Sequence, residues 1–212
     1  VYTSASNWIA PASLGITYVH ELASGRVGIG PENSLSAKTA QLSIDLLALE
    51  ERAVKAETCS LKDGAERLER GELKALHGFV GTPSDSMVQL SEQFPCTLLE
   101  YTEEELEQIL GSGGFYFRTW IPSGTYAGQV QDVATFGTKC LLCVDASMEE
   151  ELAYAITCTL WENTAELEAR HGALSAMRQA GFLWDELPIP LHNGAARFYR
   201  ENCVDFPQMD ET

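Results

Sequence analysis

Between Arg26 and Thr39 the chain reads Arg-Val-Gly-Ile-Gly-Pro-Glu-Asn-Ser-Leu-Ser-Ala-Lys-Thr, and this stretch narrows the choice of fold more than any other. The apolar run Val27 to Ile29 predicts a short buried strand. Gly30-Pro31 ends it, because proline has no N–H to give to a ladder. Glu32, Asn33, Ser34 and Ser36 then supply side chains suited to a helix N-terminus. From there Leu35, Leu42, Leu46 and Leu49 recur near helical spacing, predicting a helix over residues 35–49. Strand, tight polar loop and helix in that order make a βα unit. The first helical turn leaves N–H groups facing the loop at the positive end of the helix dipole, a seat for a carboxylate or phosphate. An ordinary βα connection with no ligand accounts for the same residues.

Residues 1–20 carry weak signals, with residues 15–19 read as a short helix or an extended connector. Downstream, the pattern alternates. A strand over 56–60 precedes Ser60-Leu-Lys-Asp63, which opens a helix to Arg70 that Gly71 stops. A strand over 73–81 ends in Gly81-Thr-Pro83. A short helix over 84–93, a strand over 96–99 and a capping box at Thr102-Glu-Glu-Glu105 follow. Such alternation implies βαβ units and a parallel sheet. Ligands bind such sheets outside the carboxyl ends of the strands, where residues 30–36 and 81–83 both fall. The aromatic, turn-rich segment 115–129 predicts a strand through Ile121 and an ordered loop. Residues 131–144 read as one long extended segment. Ser147-Met-Glu-Glu150 caps a helix expected to run to about His171, with a second helix over 174–180. The proline segment 187–192 turns into a short helix, and a polar tail follows Cys203.

The chain of 212 residues can bury a substantial core. No apolar run reaches the length of a membrane span, and residues 1–12 show no signal peptide; the chain is expected to be a piece whose start lies upstream. With 14 Lys+Arg against 31 Asp+Glu the net charge is −17, which disfavours nucleic acid and anionic membranes as partners. The six cysteines lie in apolar contexts and are read as buried free thiols. Cys140-Leu-Leu-Cys143 lacks the second pair that a zinc site needs. There is no G-x-S-x-G, no P-loop spacing and no H-E-x-x-H. His20, His77, His171 and His192 have no ligand spacing among them; His77 reads as a core histidine and His192 as a holder of backbone groups in a turn. Binding rather than turnover is expected, with no cofactor and no metal.

Two long motifs then carry a likeness. Ile121-Pro-Ser-Gly-Thr-Tyr-Ala-Gly-Gln129 with Asp132-Val133 resembles the I-P-x-G-T-Y-x-G-Q…D-V signature of TAXI-type solute-binding proteins, the extracytoplasmic receptors of one branch of TRAP transporters. Pro188 to Glu201 is similar to that family's P-I-P-L-H-P-G-A-x-R-Y-Y-x-E. Tyr154-Ala…Leu160-Trp-Glu-Asn163, Gly28-x-Gly30, Gly71-Glu-Leu73 and Gly81-Thr-Pro83 fall at matching places. Asn33-Ser34-Leu35-Ser36 stands where the family has Gly-Ser-Gly-Thr.

The resemblance implies an α/β, periplasmic-binding-protein-like, two-lobed architecture with the second lobe complete and the first partial. On that reading residues 1–20 are a connector or remnant of the first lobe. Residues 21–120 form the second lobe, and 121–212 form a crossover and helices completing the first. It implies a periplasmic or extracytoplasmic receptor for a small organic anion, a dicarboxylate or glutamate-like acid, working with TRAP permease subunits and not itself entering the membrane. Asn33, Ser34, Ser36 and nearby N–H groups are expected to hold the carboxylate, with Gly81, Thr82 and Tyr116 lining the crevice. Tyr116 also fits a core aromatic, and 188–201 fits a structural latch better than a ligand contact. The alternatives are a degenerate fragment that binds nothing, and an enzyme or regulatory domain on the same scaffold.

Overall fold

The computed structural model describes residues 1–113, 115–179, 181–185, 187–203 and 206. The chain forms two compact units, residues 3–138 and residues 1–2 with 139–212. The division falls inside two strands.

The larger unit is built on one open sheet with helices on both faces. Its strands are β1 (Tyr2–Pro11), β2 (Gly25–Gly28), β3 (Val54–Glu57), β4 (Ala75–Gly81), β5 (Cys96–Leu99), β6 (Phe117–Ile121) and β7 (Val133–Cys140). The sheet order is β3-β2-β4-β1-β7-β6, with β5 also paired to β1. β2 lies parallel to β3 and β4, as the alternating pattern requires. β1 runs antiparallel to β4 and β5, and β6 antiparallel to β7, so the sheet is mixed rather than parallel. Residues 2–11, in the segment expected as a connector or remnant of the first lobe, supply an inner strand. Trp8 packs into the core on one face and Ile9 into that on the other, so β1 is covered on both sides and lacks the polar alternation that marks a half-exposed strand.

The helices of this unit start where side-chain chemistry starts them. Ser34 accepts the Ala37 N–H ahead of α1 (Leu35–Leu46), and Ser60 accepts the Asp63 N–H ahead of α2 (Leu61–Glu69). Thr102 and Glu105 form a reciprocal capping box on α4 (Glu103–Gly111). Gly71, at φ +72°, follows the end of α2. α3 (Asp85–Gln93) follows β4. Alternate residues of β4 face opposite helices. His77 and Phe79 face α1, while a Cβ on Gly78 would stand 2.9 Å from Met87 of α3 and 3.0 Å from Leu61 of α2.

A buried polar chain crosses the α1 face. The Ser43 hydroxyl lies 3.0 Å from the Thr39 carbonyl and 2.9 Å from the Tyr101 hydroxyl. Tyr101 accepts from Trp8 Nε1 at 2.9 Å and shares a hydrogen bond with Ser6 at 3.0 Å, and Ser6 in turn meets His77 Nε2 at 3.0 Å. His77 meets Ser6 through Nε2, and its Nδ1 makes no hydrogen bond. The expected core histidine is therefore satisfied on one nitrogen only.

In the smaller unit, α5 (Glu150–Glu162) and α6 (Thr164–Arg170) replace the single helix expected to residue 171. Asn163 interrupts it at φ −102°, where its N–H and its side-chain amide both donate to the Thr159 carbonyl. Neither Ser147 nor Glu149 caps α5; Ser147 instead bonds Asp145 in a turn. Residues 172–178 form a 3₁₀ segment, and residue 180, the end of the expected second helix, lies outside the described residues. α7 (Asn193–Asn202) packs closely on α5: a Cβ on Gly194 would lie 2.2 Å from the Glu150 carbonyl oxygen. Arg197 pairs with Glu150 and Glu151 and stacks 4.5 Å over the Tyr154 ring. His192 accepts the Gly194 N–H on Nδ1 and meets the Met148 carbonyl through Nε2, the backbone-holding role expected of it. The polar tail beyond residue 206 lies outside the described residues.

Of the cysteines only Cys59 is buried; Cys143 is exposed and past the end of β7, which corrects the reading of buried thiols. Among the described residues no helix is long and apolar enough to cross a membrane.

Burial pushes the His77 imidazole from 6.5 down to about 3. Between those values the unfolded chain binds the proton and the folded chain does not. Its contribution is thus complete above about pH 6.5 and falls with falling pH, by up to about 1.4 kcal/mol per pH unit. Denaturant unfolding at about pH 4.5 and about pH 7 should show a smaller pH difference in His77→Gln, whose amide keeps a hydrogen-bonding group for Ser6. Equal differences in both proteins would refute this. Gly194→Ala should cost about 1–3 kcal/mol by forcing α7 off α5. An unchanged melting temperature would show that the two helices accommodate the methyl group.

Candidate functional site

The residues expected at the site fall around the carboxyl ends of β2 and β4. Gly30, at φ +91°, sits so close to α1 that a Cβ there would be 2.6 Å from Ser36 Cβ. Asn33 is exposed, with φ +60°, and turns the chain into the helix cap. The Ser34 hydroxyl is used twice nearby: it donates to the Pro31 carbonyl at 2.6 Å and accepts the Ala37 N–H at 3.1 Å. Ser36 is buried, and its Oγ accepts the Phe79 N–H of β4 at 2.9 Å. Both hydroxyls therefore brace α1.

Gly81 pairs with Ser4 of β1 and ends β4. Thr82 follows, joined to Pro83 by a cis peptide, and its Oγ1 is buried without a hydrogen-bond partner. Tyr116 lies edge-on to Phe79 and Phe136, at ring distances of 6.3 and 5.2 Å, and burial raises the pKa of its hydroxyl. Ser36, Phe79 and Tyr116 are thus brought together, with Gly81 and Thr82 next along β4. Tyr116 stands among core aromatics, as its alternative reading allows.

Two further polar residues complete this edge. Tyr126 is buried, and its hydroxyl donates to Asn7 Oδ1 at 2.8 Å. That hydroxyl lies beside Thr82 Oγ1 outside hydrogen-bond geometry, and burial pushes its pKa up to about 12. Ser84, also buried, is the N-cap residue of α3 but its side chain makes no cap bond, and Asp85 puts a carboxylate in the first turn. Tyr126 lies within the motif at 121–129, so that motif was the signal that could have pointed here. Asn7 carried no such signal.

Most of the 121–129 motif staples its own loop. Gln129 Nε2 donates to the carbonyls of Ile121 and Gln131, while its Oε1 accepts the Tyr126 N–H. Asp132 accepts the Ser123 N–H, and Gly124 and Gly128 hold φ +76° and +83°. Ala127 N–H reaches Ser91 of α3.

The edge offers amide hydrogens and hydroxyls, which bind by hydrogen bonding. Among the described residues no group of three or more His, Cys, Asp or Glu is placed to hold a metal ion. α1 and α3 follow adjacent parallel strands yet pack on opposite faces of the sheet. Their N-termini therefore flank the carboxyl edge between β2 and β4, the place where open α/β sheets take ligands.

A family profile described as the NMT1-like family matches residues 1–202. The structure is similar to the crystal structure of the periplasmic aliphatic sulphonate binding protein SsuA from Escherichia coli, at 13% identity and a TM-score of 0.43. The match covers 94% of this chain, which spans about 61% of that protein's length.

Replacing Gln129 by Ala removes three hydrogen bonds from the loop and should cost about 1–3 kcal/mol. Urea unfolding measures it. A change under about 0.5 kcal/mol would mean that the loop holds without its staple.

Proposed function

This chain belongs to the NMT1-like family, and we propose that it is the ligand-holding part of an extracytoplasmic substrate-binding protein. Its work on this reading is to bind and release, with no chemical step. The ligand is a small organic anion, a dicarboxylate or glutamate-like acid. The downstream partner is a TRAP-type permease, in keeping with the TAXI-like motifs at 121–129 and 188–201. The observation that carries the proposal is the edge between β2 and β4, flanked by the N-termini of α1 and α3 and bearing a Thr82 hydroxyl with no partner. A carboxylate there would accept from backbone N–H groups of α1's first turn and from Thr82 Oγ1. Ser34 and Ser36 then act through α1, which they hold, while Asn33, Gly81 and Tyr116 shape the loop and wall around it. Neutral donors suit a protein that must let its ligand go, because no buried charge is left unpaired on release.

The internal use of the Ser34 and Ser36 hydroxyls favours a second reading, a chain of this fold that binds nothing. A thermal-shift panel of dicarboxylates, acidic amino acids and an alkylsulphonate separates the two. A ligand at about 100 times its Kd stabilises by about 2.7 kcal/mol, and Thr82→Val should reduce that gain while leaving the ligand-free melting temperature nearly unchanged. Stabilisation by none of these acids would favour the second reading. Full stabilisation in Thr82→Val would remove Thr82 from the site.

A further inference from the structure

No further inference is drawn: the strongest candidate, the apolar cavity of about 510 Å³ in the smaller unit between α5, α7 and residues 187–191, opens to solvent at Leu142, Trp161 and Ile189, and nothing in the structure shows what covers it.

Discussion

The larger unit depends on the Tyr101 hydroxyl. Three side chains reach it, from Ser6 and Trp8 of β1 and from Ser43 of α1, and through Ser6 it is linked to His77 of β4. Apolar packing alone would tolerate small slips of α1 along the sheet, since burial has no direction. Hydrogen bonds between fully buried groups do not tolerate them, because each lost partner leaves a polar atom without water. The chain of hydroxyls, with the Phe79 N–H bond to Ser36, fixes the level at which α1 begins. That level sets where its first-turn N–H groups stand relative to the end of β4. The proposed ligand edge thus inherits its geometry from a network away from it.

Elements with strong local chemistry were legible in the sequence. Ser60, Thr102 and Gly71 act as their types suggest, and the strand over 96–99 has the expected bounds. β1 was not legible. Its buried residues include Ser4, Ser6 and Asn7; the Ser6 hydroxyl and the Asn7 side-chain oxygen are matched by partners far along the chain, so little in the local sequence marks the strand. The antiparallel pairings of β1 were hidden for the same reason. The break at Asn163 was hidden because the apolar periodicity continues across it.

The candidate site was legible in place but not in detail. The sequence identifies Ser34 and Ser36 as hydroxyl donors near a helix N-terminus. Ser34 is taken up locally by Pro31 and Ala37, whereas what the Ser36 hydroxyl faces depends on Phe79, more than forty residues away along the chain. Thr82 stood in the expected loop, whereas its neighbour Tyr126 came from a motif most of whose members serve their own loop. Motif residues at 121–132 and at 188–201 hold elements together: Gln129 closes a loop, and Gly194 lets two helices meet. A likeness carried by such residues speaks to architecture first and to ligand second.

The linkage of the buried hydroxyls has a consequence for how related chains can differ. The links run from the imidazole of His77 through Ser6, Tyr101 and Ser43, with the Trp8 indole joined at Tyr101. An apolar replacement at one position leaves its neighbours short of a partner, while exchanging the whole set, Trp8 included, for apolar side chains leaves none. Drift through single steps is therefore blocked at these positions. Chains of this fold are expected to retain the entire network or to have lost it together.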